Sequence, residues 1–150
     1  PKNDALERSL AYICKSAQDF LRPSGLQCRL EMPGEFPACF LTSSVRHNLY
    51  LSVREALHNA VKHSGSREVK IQVGLTESVL IMEIADHGRG FDAGAALTEP
   101  SVRHGLVNMR RRMEMVGGSF SVTSRPGAGA MVRLAVPLAL ARPGEPLNHP

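Results

Sequence analysis

Apolar and polar positions divide the chain into segments of two different periods. From Asp4 to Leu21 the residues Leu6, Leu10, Ile13, Ala17, Phe20 and Leu21 recur at steps of three and four. That spacing predicts an amphipathic helix, stopped by Pro23 and Gly25. Between Leu26 and Met32 the period changes to two: Leu26, Cys28, Leu30 and Met32 alternate with Gln27, Arg29 and Glu31. This predicts a strand with one face on a core, closed by the Pro- and Gly-rich stretch from Pro33 to Pro37. A second helix is predicted from a cap at Ser43 or Ser44, with Val45, Leu49, Val53, Ala56, Leu57, Ala60 and Val61 as its apolar face and Ser64-Gly65 as its stop.

Two Val- and Ile-rich alternating runs, Glu68 to Leu75 and Ser78 to Ala85, predict a β-hairpin around Thr76 and Glu77. The stretch from Asp86 to His104 is long and rich in Gly and Ala, the mark of a functional lid or a disordered segment. A third helix is expected from about Leu106 to Val116, ended by Gly117 and Gly118. Strands near Ser119 to Ser124 and Ala130 to Pro137 flank the turn Arg125-Pro126-Gly127-Ala128-Gly129. Helices interleaved with hairpin-connected strands imply an α/β two-layer sandwich, with three helices on one face of a mixed, mainly antiparallel sheet. One domain over residues 1–140 is expected, with 141–150 as a flexible tail.

Composition agrees with that picture. A length of 150 residues suits a single core, and an apolar fraction of 43% with 21% charged residues excludes a disordered or fibrous chain. No apolar run approaches the roughly 20 residues of a membrane-spanning helix, and the most apolar stretch, Ala135 to Ala141, is broken by Pro137. With no initiator Met and no signal-like start, the chain reads as a soluble, cytoplasmic piece of a parent that is itself free to be membrane-anchored. Cys14, Cys28 and Cys39 match neither a zinc site nor a CxxC pair and read as reduced thiols. The net charge of +4 is spread among acidic residues. The only tight basic run, Arg110-Arg111-Arg112, reads as a solvated helix face, so no nucleic-acid partner is expected.

Candidate chemistry lies in two places. On the second helix Asn48, Ser52, Glu55, Asn59 and Lys62 form a polar stripe at steps of three and four. By itself the stripe suits a solvent face, but a carboxamide oxygen beside a carboxylate also suits Mg²⁺, which prefers hard oxygen ligands and binds phosphates. Asp86-His87-Gly88-Arg89-Gly90-Phe91 begins where a strand ends. Its glycines allow close backbone approach or positive φ, and its carboxylate can accept a hydrogen bond from an exocyclic amine such as that of adenine.

The order of the segments is more specific than any one of them. Arg54-Glu55-Ala56-Leu57-His58-Asn59-Ala60-Val61-Lys62-His63-Ser64, then Asp86 to Phe91, then His104-Gly105-Leu106-Val107-Asn108-Met109-Arg110, then Gly117-Gly118 and Pro126-Gly127-Ala128-Gly129, closely resemble the boxes of the histidine kinase branch of the GHKL ATPases. Within that branch the chain looks most like the subfamily with the Nar- and Des-type dimerisation domain. The resemblance implies the α/β sandwich of that superfamily and an ATP-binding kinase domain. It implies that Asn59 ligates Mg²⁺ on the ATP phosphates, that Glu55 assists proton transfer or orders metal waters, and that Lys62 and His63 lie on the phosphate side. By the same resemblance Asp86 reads adenine and Gly88 and Gly90 shape the pocket beneath the base. His104, Gly105 and Leu106 open the helix after the ATP lid, and Gly127 and Gly129 form the last glycine box.

Three positions depart from the pattern: Arg103 replaces a lid glycine, Ala130 a threonine near adenine, and His58 an asparagine. No metal other than Mg²⁺ is implied, since His58 and His63 lack the spacing of a zinc pair. The implied partners are ATP, a histidine-containing dimerisation domain of the same parent, and a response regulator downstream. The alternative is a degenerate, non-catalytic kinase-like interaction module, supported by Arg103 and Ala130 alone.

Overall fold

The computed structural model describes residues 5–88 and 100–140. Helix α1 (Ala5–Leu21) buries Leu6, Leu10, Ile13, Cys14, Ala17 and Leu21, the face its periodicity predicts. A short 3₁₀ turn, Arg22–Ser24, follows, and Gly25 at φ 79° reverses the chain into β1 (Gln27–Glu31). After the two-residue strand β2 (Cys39–Phe40) comes α2 (Ser43–Asn59), which runs on into a single π-helical turn, Ala60–Ser64. Strands β3 (Glu68–Leu75) and β4 (Val79–Asp86) form the expected hairpin. Helix α3 (Pro100–Met115), β5 (Ser119–Ser124), β6 (Ala130–Pro137) and β7 (Ala139–Leu140) complete the described chain.

The main sheet has the order β1-β3-β4-β6-β5. Only the β1–β3 pair is parallel, so the sheet is mixed and mainly antiparallel. Alternate residues of its inner strands, among them Ile71, Leu80, Met82, Leu134 and Val136, are nearly inaccessible. They meet Leu49 and Leu57 of α2 and Met109 and Met113 of α3 in one core. The helices therefore cover one face of the sheet and leave the other to solvent, the two-layer sandwich that the pattern implied.

Two boundaries differ from the sequence reading. The N-cap of α2 is Thr42, not Ser43 or Ser44: its backbone is extended and its Oγ1 accepts the Val45 amide at 3.3 Å. Thr42→Ala should therefore lower stability by about 1 kcal/mol in urea unfolding, while Ser43→Ala stays within about 0.5 kcal/mol. Helix α3 starts at Pro100, six residues before Leu106, because a proline is well placed in a first helical turn and the buried stripe Val102, Gly105, Met109, Met113 begins before Leu106. Gly105 is thus an interior helical residue rather than the start of the helix.

Strands β2 and β7 were not expected. Each is two residues long, and they pair antiparallel with each other, Cys39 with Leu140 and Phe40 with Ala139. The three thiols are packing groups: burial, and next to it the Cys28 thiol, pushes Cys14 from an ordinary 9.0 up to about 11, and burial raises Cys28 and Cys39 as well. No helix among the described residues is long and apolar enough to cross a membrane. The tail 141–150 and the segment 89–99, which includes Gly90, lie outside the described residues.

Candidate functional site

The strand period brings the site to the end of the core. Along β4 the residues Leu80, Met82 and Ile84 face the helices and are buried. Asp86 is next in that series, so a carboxylate takes the position where another core residue would stand. Directly across the ladder its partner is Ala130, at the start of β6. Asp86 accepts the Gly88 amide on Oδ1 at 2.9 Å, a turn that aims the chain back toward the end of α2.

That end of α2 is unusual. Asn59 is the last α-helical residue, and the next five form a wider π turn, a feature often found at functional sites. Ser64 closes it by donating to the Ala60 carbonyl at 2.6 Å, and Gly65 ends it at φ 68°. Lys62 and His63 lie on this turn, Lys62 exposed and His63 half-buried. The His63 Nε2 atom is buried without a hydrogen-bond partner. Buried polar atoms are seldom left so, and the exceptions need a reason.

Glycines lock these segments to one another. A Cβ on Gly88 would overlap the Ser64 backbone carbonyl, and a Cβ on Gly129 would overlap the carbonyl oxygen of Asp86. Gly129 also has φ 80°, whereas Gly88 does not adopt positive φ, so its requirement is close approach alone. On the other side, a Cβ on Gly105 of α3 would meet Oε1 of Glu55 on α2. These contacts link the segments in series: α3 meets α2 at Glu55, the end of α2 meets the Asp86 turn at Ser64, and the Asp86 turn meets the last glycine turn at Gly129. Of the residues singled out from the sequence, Glu55, Asn59, Lys62, His63, Asp86, Gly88, Gly105 and Gly129 share this region. Gly127 lies two residues from Gly129 on an open turn at φ 77°, His104 is exposed beside Gly105, and Leu106 packs on the core.

The polar stripe of α2 divides in two. Asn48 and Ser52 are buried, Asn48 donating to the Ser44 carbonyl at 2.9 Å, so they are part of the packing. Glu55 and Asn59 are half-buried, with part of each side chain left open to solvent. Sequence reasoning missed Ser66, whose hydroxyl donates to the Glu68 carbonyl at 2.8 Å and accepts the His87 amide at 3.3 Å. It ties the start of β3 to the Asp86 turn, and the only sequence signal for it is its place directly after the helix stop Ser64-Gly65.

Comparisons with known proteins bear on the family and the fold. Residues 44–140 match the family described as histidine kinase-, DNA gyrase B-, and HSP90-like ATPase. The chain is 35% identical over 92 residues to the signal transduction histidine-protein kinase/phosphatase DegS of Bacillus subtilis, covering 61% of this chain and 24% of DegS. It is 31% identical over 94 residues to the sensor protein VraS of Staphylococcus saprophyticus, covering 63% of this chain and 26% of VraS. The chain thus spans about a quarter of the length of these relatives. Its fold is similar to that of full-length ShkA solved in complex with AMPPNP, with a TM-score of 0.72 at 20% identity over 90% of this chain and 30% of ShkA. With the family match covering most of the chain and the boxes meeting in one place, the chain belongs to the histidine kinase-, DNA gyrase B-, and HSP90-like ATPases.

Proposed function

We propose that this chain is the ATP-binding catalytic domain of a sensor histidine kinase of the Nar/Des type. It transfers the γ-phosphate of ATP to a histidine on a separate dimerisation domain, from which a response regulator is phosphorylated. The observation that carries this reading is the series of close approaches by which the end of α2 meets the Asp86 turn, the Asp86 turn meets the Gly129 turn, and α3 meets Glu55 of α2, with a nucleotide cleft proposed between them. ATP lies in that cleft with adenine at Asp86, which accepts from the exocyclic amine, and with its phosphates toward Asn59, Lys62 and His63.

The orphaned Nε2 of His63 supports a ligand that completes its hydrogen bonding. Among the described residues no cluster of three or more His, Cys, Asp or Glu could hold a metal. A metal here draws most of its ligands from phosphate and water, as Mg²⁺ does, with Asn59 as the protein ligand and Glu55 one turn away to order the metal's water or take a proton. When bound, Mg²⁺ neutralises charge on the phosphates. Transfer passes through a loose transition state, so the residues act by positioning and by charge: Lys62 contributes a cation, and Glu55 is held by its contact with Gly105.

Isothermal titration of ATP into this chain tests the reading. Binding is expected to need Mg²⁺, and Asn59→Ala should abolish this Mg²⁺-dependent binding while sparing the fold. No binding by folded wild type at millimolar nucleotide would reject the proposal. Ala130 faces Asp86 across the ladder, so Ala130→Thr, which adds a hydroxyl beside the base, should tighten ATP about fivefold, the worth of one neutral hydrogen bond.

A further inference from the structure

The helical layer has a concave feature, a notch of about 300 Å³ lined by residues of α1, α2 and α3. Phe20 and Met109 are among its apolar lining, and its polar lining holds Arg54, His58 and Arg112 with one carboxylate, Glu55. Arg54 is fixed in place. Its guanidinium stacks over the Phe20 ring at 4.5 Å and donates through Nη1 to the Tyr50 hydroxyl at 3.1 Å, with Ser16 Oγ at 3.5 Å.

All of these partners are neutral, so the cation is ordered but not neutralised. Lys15, Arg22, Arg29 and Lys70, in contrast, each have a carboxylate within 3.2 Å. Among the described residues neither Arg54 nor Arg112 has such a partner. A guanidinium stacked in a fixed position, with only Nη1 engaged by hydroxyls, still has N–H donors to offer a planar carboxylate. Next to it Tyr12, 64% exposed, packs against Tyr50 at 5.9 Å between centroids. Exposed Tyr and Arg around a concave centre are the composition of a protein interface.

Position identifies the partner. Glu55 lines the notch and also meets Gly105 at the cleft, so an occupant of the notch lies beside the phosphate end of the nucleotide. We propose that the notch is the docking site for the acceptor-bearing helix of the dimerisation domain, seated by an acidic side chain of that helix on Arg54 and Arg112. This rests on the kinase reading above, and it assigns to residues outside the nucleotide cleft the job of delivering the acceptor imidazole.

The test uses the full-length parent kinase carrying Arg54→Glu or Arg112→Glu, with autophosphorylation followed at saturating ATP across a salt series and ATP affinity titrated in parallel. The expected result is a rate lower by about tenfold or more in each variant, with ATP affinity within about twofold of wild type. Raising the ionic strength should slow the wild type toward the variants and leave the variants little changed, a response that a packing defect would not produce. Arg112→Glu guards against misfolding, since Arg112 makes none of the stacking contacts of Arg54. The proposal is overturned if both variants autophosphorylate at the wild-type rate, or if the rate and ATP affinity fall together. A wild-type parent that binds ATP yet never phosphorylates itself would overturn the kinase reading, and the docking site with it.

Discussion

Asp86→Ala is expected to weaken ATP binding by about ten- to a hundredfold, with little change in thermal unfolding. The carboxylate stands at the core-facing position where β4 leaves the core, and it has two tasks. It holds the Gly88 amide at 2.9 Å, which shapes the turn, and in the proposed site it accepts from the adenine amine. A hydrogen bond to a charged group is worth about 1.5–3 kcal/mol, and each 1.4 kcal/mol is tenfold in affinity. Asp86→Asn separates the two tasks. Its carboxamide oxygen still accepts from Gly88 and offers adenine a neutral acceptor, so roughly half the free energy is lost and affinity should fall only about four- to tenfold. Equal losses in the Ala and Asn variants would mean that charge, not the shape of the turn, carries recognition. No loss in either would remove Asp86 from the site.

The second large effect is expected at the last glycine turn, where two neighbours make an internal control. Gly127 and Gly129 both have positive φ, at 77° and 80°. A left-handed residue with a Cβ costs roughly 1–2 kcal/mol, so Gly127→Ala, whose Cβ would meet open space, should lose about that much in urea unfolding and keep its ATP affinity. Gly129→Ala has the same backbone cost and in addition drives its Cβ into the Asp86 carbonyl. Backbone cannot swing away as a flexible side chain does, so β4 and β6 must part where they hold the Asp86 turn. A loss clearly greater than that of Gly127→Ala, together with weaker ATP binding, is the expected outcome. Equal stability in the two variants would show that the turn relaxes freely and does not position Asp86.

Much of this protein can be read from local pattern, because local pattern reports which face of each element is buried. The three- and four-residue steps of α1 and α2 and the alternation of β3, β4, β5 and β6 needed no knowledge of partners. The order of the boxes was likewise legible, and it pointed to the site before any geometry. What escaped depended on contacts distant in sequence. Strands β2 and β7 are too short to show a period and exist only because the segment before α2 meets the one after β6, far away in sequence.

The early start of α3 was hidden because Gly105 reads locally as a helix breaker. In the fold it is the residue whose missing side chain makes room for Glu55. The polar stripe of α2 looked uniform in sequence, yet packing buried Asn48 and Ser52 and left Glu55 and Asn59 open. Whether a polar group serves packing or chemistry depends on what stands opposite it, and a one-dimensional pattern carries no record of that. For the same reason Arg54 read only as a neighbour of Glu55. Tertiary structure set it between Phe20 and Tyr50 with its charge unmatched, because α1 and α2 meet there from segments more than thirty residues apart.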